Sequence, residues 1–144
     1  MEMPLPILAF ESSHRTGWGG DNNAYYRGVN GEYFWLDRDD MRGTSPQVGL
    51  DALWTFLDET GEDAFTVPHH TGRAGKYRSF ADPAYRSEHE PLFEIYSAWG
   101  SSEQRCTRFP LHGGNSDRPV YFVDALRAGC RYGVIASGDD HTTL

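Results

Sequence analysis

Apolar residues along this chain come in short bursts separated by polar, glycine-rich stretches, a rhythm of strands with one well-marked helix. Residues 5–10 (LPILAF) form an apolar run that reads as a buried strand leading into Glu11. A β-hairpin is predicted over residues 24–36, where AYYRGVNGEYFWL places Asn30-Gly31 as a tight turn between aromatic-rich segments. The helix follows. Ser45 suits an N-cap and Pro46 the first helical position. Leu50, Leu53, Trp54 and Leu57 then recur as one amphipathic stripe, and Gly61 supplies a stop. Strands are predicted over residues 64–67, 92–96 and 132–136, and a helix over 119–128 that ends at Gly129.

Strand and helix alternate at spacings that suit parallel β-α-β units, so the expected fold class is α/β with an inserted β-hairpin. In such sheets ligands gather outside the carboxyl ends of the strands. Three apolar segments run directly into Glu11, His69-His70 and Asp139-x-His141, and a fourth carries Glu94 inside it. Carboxylates and imidazoles gathered at one end of a sheet make a metal or acid–base site.

The chemistry follows from the side chains. Asp139 and His141 stand two residues apart, which in extended backbone points both to one side. Asp oxygen and His nitrogen suit zinc, manganese or iron. His69 and His70 are adjacent, and alternation favours His69 as the ligand, with His70 a second ligand, a proton carrier or a structural residue. Glu11 has two oxygens and can bridge two ions. Glu94 reads equally well as a buried salt-bridge residue. His14 and His112 read as loop residues, and His89 as plain surface. Trp54 belongs to the helix stripe; Trp18 and Trp99 sit in loops, where they read first as core residues and second as walls of a pocket.

Arg73, Lys76 and Arg78 cluster just after the histidine pair, and cations there suggest a small-molecule substrate with an anionic group. The formal charge of −8 argues against a nucleic-acid partner, which demands a basic face. No apolar run approaches the roughly 20 residues needed to span a bilayer. Cys106 and Cys130 lack CxxC spacing and read as small buried apolar residues. No Ser-His-Asp elbow, phosphate-binding loop or dinucleotide fingerprint appears. The chain's 144 residues suffice for one domain but fall short of a complete α/β barrel of about 250 residues. With a ligand motif at its very end, it reads as a piece of a longer protein.

The segments VPHHTGRAGKYRSF, EPLFEIYSAWGSSE and DALRAGCRYGVIASGDDHTTL resemble a domain-of-unknown-function family within the PHP (polymerase and histidinol phosphatase) superfamily. The resemblance extends over nearly the whole chain. It implies a single partial domain over residues 1–144, built as an incomplete distorted (β/α)7 barrel related to TIM barrels. It also implies two or three divalent ions (zinc, manganese or iron) and hydrolysis of a phosphate ester or a related bond by metal-activated water. On this resemblance Asp139 and His141 match a D-x-H metal motif, the histidine after Val67-Pro68 a strand-end ligand, and Glu11 a bridging glutamate. The opening His-x-His of the superfamily is absent, Trp99 stands where relatives often have His, and so does Asn22. Two alternatives stand beside the phosphoesterase reading. One is metal-dependent C–N hydrolysis of the amidohydrolase type, and the other is a non-catalytic binding domain.

Overall fold

A computed structural model describes residues 7–13, 20–34, 46–73, 78–83, 86–114 and 118–140. Its elements are β1 (Ala9–Ser13), β2 (Asp21–Tyr26), α1 (Pro46–Thr60), β3 (Ala64–His69), β4 (Leu92–Ser97), β5 (Gly100–Ser101), α2 (Phe122–Arg127) and β6 (Gly133–Ala136). They form two three-stranded sheets, ordered β1-β2-β3 and β5-β4-β6. Among the described residues no helix is long and apolar enough to cross a membrane.

The expected parallel barrel is overturned. Pairs β1–β2, β2–β3 and β4–β5 are antiparallel, and only β4–β6, with α2 between them in the chain, is parallel. The reason lies in a strand hidden by its polarity. Asp21-Asn22-Asn23 reads as a loop, yet these residues begin the central strand of the first sheet. Only residues 14–20 separate β1 from β2, too few for the dozen or more that a parallel crossover needs. The chain must turn straight back.

That sheet has two unlike faces. Cross-strand partners share a face, and side chains alternate along each strand. The registers Phe10↔Ala24↔Thr66 and Tyr26↔Ala64 therefore put Phe10, Ala24, Tyr26, Thr66 and Ala64 on one side. There Ala24 and Tyr26 pack with Leu53 and Leu57 of α1. Leu50 and Trp54 are buried too, as the helical stripe predicts, and Gly61 ends α1 with φ of 68°. Each fully buried leucine contributes about 1.5–3 kcal/mol of transfer free energy. The other face carries Glu11, Ser13, Asp21, Asn23 and His69 through the registers Glu11↔Asn23 and Ser13↔Asp21↔His69.

The second sheet has its own core, in which Phe80, Phe93 and Ala125 pack with Ile95, Phe122 and Tyr132. The sheets meet where the Thr66 amide donates to the His89 carbonyl at 2.8 Å and where His69 reaches Glu94.

Three local expectations change. The hairpin over residues 24–36 does not form: residues 30–34 have no regular structure, and β2 takes β1 and β3 as partners. Gly31 is instead needed for close packing, since a Cβ there would lie 2.2 Å from the Tyr26 ring. The helix expected over residues 119–128 spans only Phe122–Arg127, with the Tyr121 amide capped by Asp124 at 3.2 Å. Cys106 is exposed rather than buried. Ser45, Trp18, Trp35, His14, Lys76 and His141 lie outside the described residues.

Candidate metal centre

Three strands deliver the centre of the site. His69 ends β3, His70 follows it, Asp139 lies just past β6, and Glu94 stands in the middle of β4. The sheet face opposite α1 supplies Asp21 from β2 and Glu11 from β1.

His69 meets a carboxylate at each ring nitrogen, and one of these contacts is a hydrogen bond. Its Nδ1 is 2.7 Å from Glu94 Oε1, both side chains being buried, and its Nε2 is 3.4 Å from Asp139 Oδ2. Ser137 donates its hydroxyl to the other Glu94 oxygen, so that carboxylate cannot swing away. Strand alternation should turn His70 to the opposite side, but His70 has a φ of 31°, in the left-handed region. This turn brings the two imidazoles to 3.9 Å between centroids and sets His70 Nε2 3.4 Å from Asp21 Oδ2 and 3.9 Å from Asp139 Oδ2. Asp139 also has a positive φ, 47°. Non-glycine residues in this region are uncommon and cluster at functional sites. Both histidines of the expected pair thus face the same point.

One ligand atom from each of His69, His70 and Asp139 lies within 4.8 Å of the others. Ligand atoms about 2.0–2.2 Å from a shared tetrahedral ion stand roughly 3.3–3.6 Å apart. The 3.4 Å and 3.9 Å spacings around Asp139 Oδ2 are close to that edge and longer than an ordinary hydrogen bond. The donor chemistry agrees. When His69 donates its Nδ1 proton to Glu94, Nε2 carries a lone pair aimed at a carboxylate oxygen. Two acceptors face each other there, an arrangement relieved by a proton or a cation between them. His70 adds a buried Nδ1 with no hydrogen-bond partner among the described residues. Two imidazoles and a carboxylate, with the outer nitrogen of one imidazole tied to a second carboxylate, is a set that suits zinc and its neighbours. The residues fit a divalent ion.

The electrostatics of the two rings differ. Burial disfavours the charged form of His69, but the hydrogen bond and charge of Glu94, with the charges of Asp139 and Glu11, outweigh it and raise its pKa. For His70 burial leads, reinforced by the neighbouring His69 and Arg73 cations, and the carboxylates of Asp21 and Asp139 do not offset it, so its pKa is lowered.

The centre opens on a cleft of about 330 Å³ lined by Glu11, Asn23, His69, Ser137, Asp139 and Asp140. Glu11 projects from mid-strand, exposed, and accepts the Ser13 hydroxyl at 3.1 Å; Ser13 also reaches Asp21 at 2.9 Å. Glu11 therefore faces the cleft without joining the three-residue cluster. Arg73 lies beside the histidine pair with its guanidinium carbon 3.4 Å from the centre of the Trp99 ring. His112 also packs near Trp99, its ring 5.8 Å from that indole.

Arg78 does not reach the cleft. It is fully buried, paired with Glu90 through both terminal nitrogens and bonded to Asn22 Oδ1 at 3.3 Å. It therefore ties α1, through Trp54, to the sheet and cannot contact a bound substrate. Asp21 escaped the sequence reading. Its signal was the alternation of Asp21, Asn23 and Tyr25 within one strand, hidden by the glycines before it.

No family model matches the chain, and no solved structure matches it. Relatives exist. An uncharacterized protein of Chlamydia pneumoniae is 34% identical over 89 residues, covering 59% of this chain and 14% of that protein. An uncharacterized protein of Chlamydia trachomatis serovar D is 31% identical over 94 residues, covering 62% of this chain and 15% of that protein. The chain thus spans about one seventh of the length of the curated relatives it matches.

Proposed function

We propose that this chain carries the metal centre of a divalent-metal-dependent hydrolase of the phosphoesterase type, as its PHP resemblance implies. One observation carries the reading. His69 Nε2 faces Asp139 Oδ2 at 3.4 Å while its Nδ1 is engaged by Glu94, so the inner nitrogen is free to ligate.

His69, His70 and Asp139 would hold the ion. An ion so held supplies charge that acidifies a water and polarises the scissile phosphoryl group. Glu94 and Ser137 keep the His69 ring fixed during turnover. Glu11 and Asp140 line the open side of the cleft, where a carboxylate can take a proton from water entering from solvent. Asn23, beside them, offers an amide donor to a substrate oxygen.

The test is elemental analysis of protein purified without chelators, together with hydrolysis of p-nitrophenyl phosphate. Near-stoichiometric zinc, manganese or iron that disappears in His69→Ala, with phosphate release lost in step, supports the reading. Protein that neither retains nor rebinds a divalent ion at micromolar concentration rejects it. Metal retention with cleavage of amide substrates alone moves the assignment to C–N hydrolysis.

A further inference from the structure

We infer that Arg73, clamped on the face of Trp99, forms an oxyanion-binding subsite beside the candidate metal centre. The inference rests on the proposed function for its context and on the clamp itself for its substance.

Three observations build it. First, both halves of the clamp are anchored by their backbones. The Arg73 amide donates to the His70 carbonyl at 3.0 Å, and Arg73 forms a bridge with Gly114. The Trp99 amide donates to Ser97 Oγ at 3.2 Å, and its carbonyl accepts from the His112 amide at 2.6 Å. Gly100, with φ of 109°, lets the chain pass so close to Pro110 that a Cβ would lie 2.5 Å from its carbonyl oxygen. An arginine side chain ordinarily gives up much rotamer freedom on binding an anion. Here the indole has already restrained it, so less is lost.

Second, the Arg73 cation is not neutralised by any of the described residues. It has no hydrogen bond or ion pair to a carboxylate among the described residues, in a chain whose net charge is −8. Arg27, Arg78 and Arg127 each pair with an acid, and Arg86 and Arg105 spend a donor on backbone carbonyls. Stacking uses the face of the guanidinium and leaves its five in-plane donors available. Those donors match the paired oxygens of a phosphoryl or carboxylate group.

Third, the clamp adjoins the metal centre. Arg73 is three residues beyond His70, and the Trp99 ring meets the His70 ring edge-on at 6.5 Å. An anionic group bound by Arg73 therefore lies on the Trp99 side of the His70 ring. The subsite selects substrates with an oxyanion at or next to the scissile bond. Trp99 is the positioning residue, since it acts through Arg73.

Calorimetric titrations of inorganic phosphate and of acetate test this, each with zinc-loaded and chelator-treated protein. The expected result is phosphate or acetate binding that weakens about tenfold or more in Arg73→Ala, the usual effect of losing a charged hydrogen-bond partner. Zinc stoichiometry should stay the same. Whichever anion shows the larger loss identifies the group. Arg73→Lys should recover only part of the affinity, because an ammonium neither forks nor stacks equally. Trp99→Leu should weaken binding severalfold. Wild-type protein that binds neither anion, or Arg73→Ala protein that binds both as well as wild type, overturns the inference. Arg73-dependent binding without any zinc uptake keeps the subsite and removes the metal reading.

Discussion

His69 Nδ1 lies 2.7 Å from Glu94 Oε1, and this contact decides which nitrogen of the imidazole faces Asp139. A carboxylate behind a histidine fixes its tautomer and raises its basicity as a ligand. Glu94→Gln keeps the shape and removes the charge. Zinc affinity, measured by competition with a chromophoric chelator, should fall about 10- to 100-fold. An unchanged affinity would mean that Glu94 has no part in holding the ring.

The two histidines should titrate in opposite directions in chelator-treated protein. His69 is raised by Glu94, Asp139 and Glu11 against its burial, and His70 is lowered by burial and by the cations beside it. Histidine-ring NMR titration should place His69 above the ordinary value of about 6.5 and His70 below it. The stability signs follow. The His69 contribution is full below about 6.5 and disappears as pH rises through its raised value. The His70 contribution is present above about 6.5 and declines as pH falls through its lowered value. Two rings titrating together near the ordinary value would contradict the site geometry.

Arg78 and Glu90 form a buried pair, and removing one partner strands the other charge in the interior. Arg78→Met should lower the unfolding free energy in urea by about 3–5 kcal/mol. The double variant Arg78→Met/Glu90→Leu should recover most of that loss, since apolar replacement of both partners is often neutral. A single variant as stable as wild type would show that the pair is not buried in solution.

Gly100 has a φ of 109°, and a Cβ on it would meet the Pro110 carbonyl. Gly100→Ala should cost about 1–3 kcal/mol through backbone strain and should shift the fluorescence of the neighbouring Trp99. Full stability with an unaltered spectrum would argue that this turn adjusts freely.

The helical stripe of Leu50, Leu53, Trp54 and Leu57, and the Gly61 stop, were legible because they are local: one amphipathic face needs only its own spacing. The strands around Val67, Phe93 and Ile135 were legible as apolar runs for the same reason. That His69, His70 and Asp139 would draw together was expected from the chain alone, because each follows directly on such a run, and the fold sets a ligand atom of each within 4.8 Å of the others. Sheet direction did not. It depended on Asp21–Tyr26, whose polar start conceals a central strand, and on a connection too short for a crossover. Arg78 and Arg73 make the same point from side chains. Five residues apart in one cationic cluster, one is consumed by Glu90 in the interior and the other stacks on Trp99, whose ring meets that of His70. Local spacing determines which segments fold into strands and helices. Which charges meet is decided only when distant segments are packed together, because burial and pairing depend on neighbours that the sequence does not place side by side.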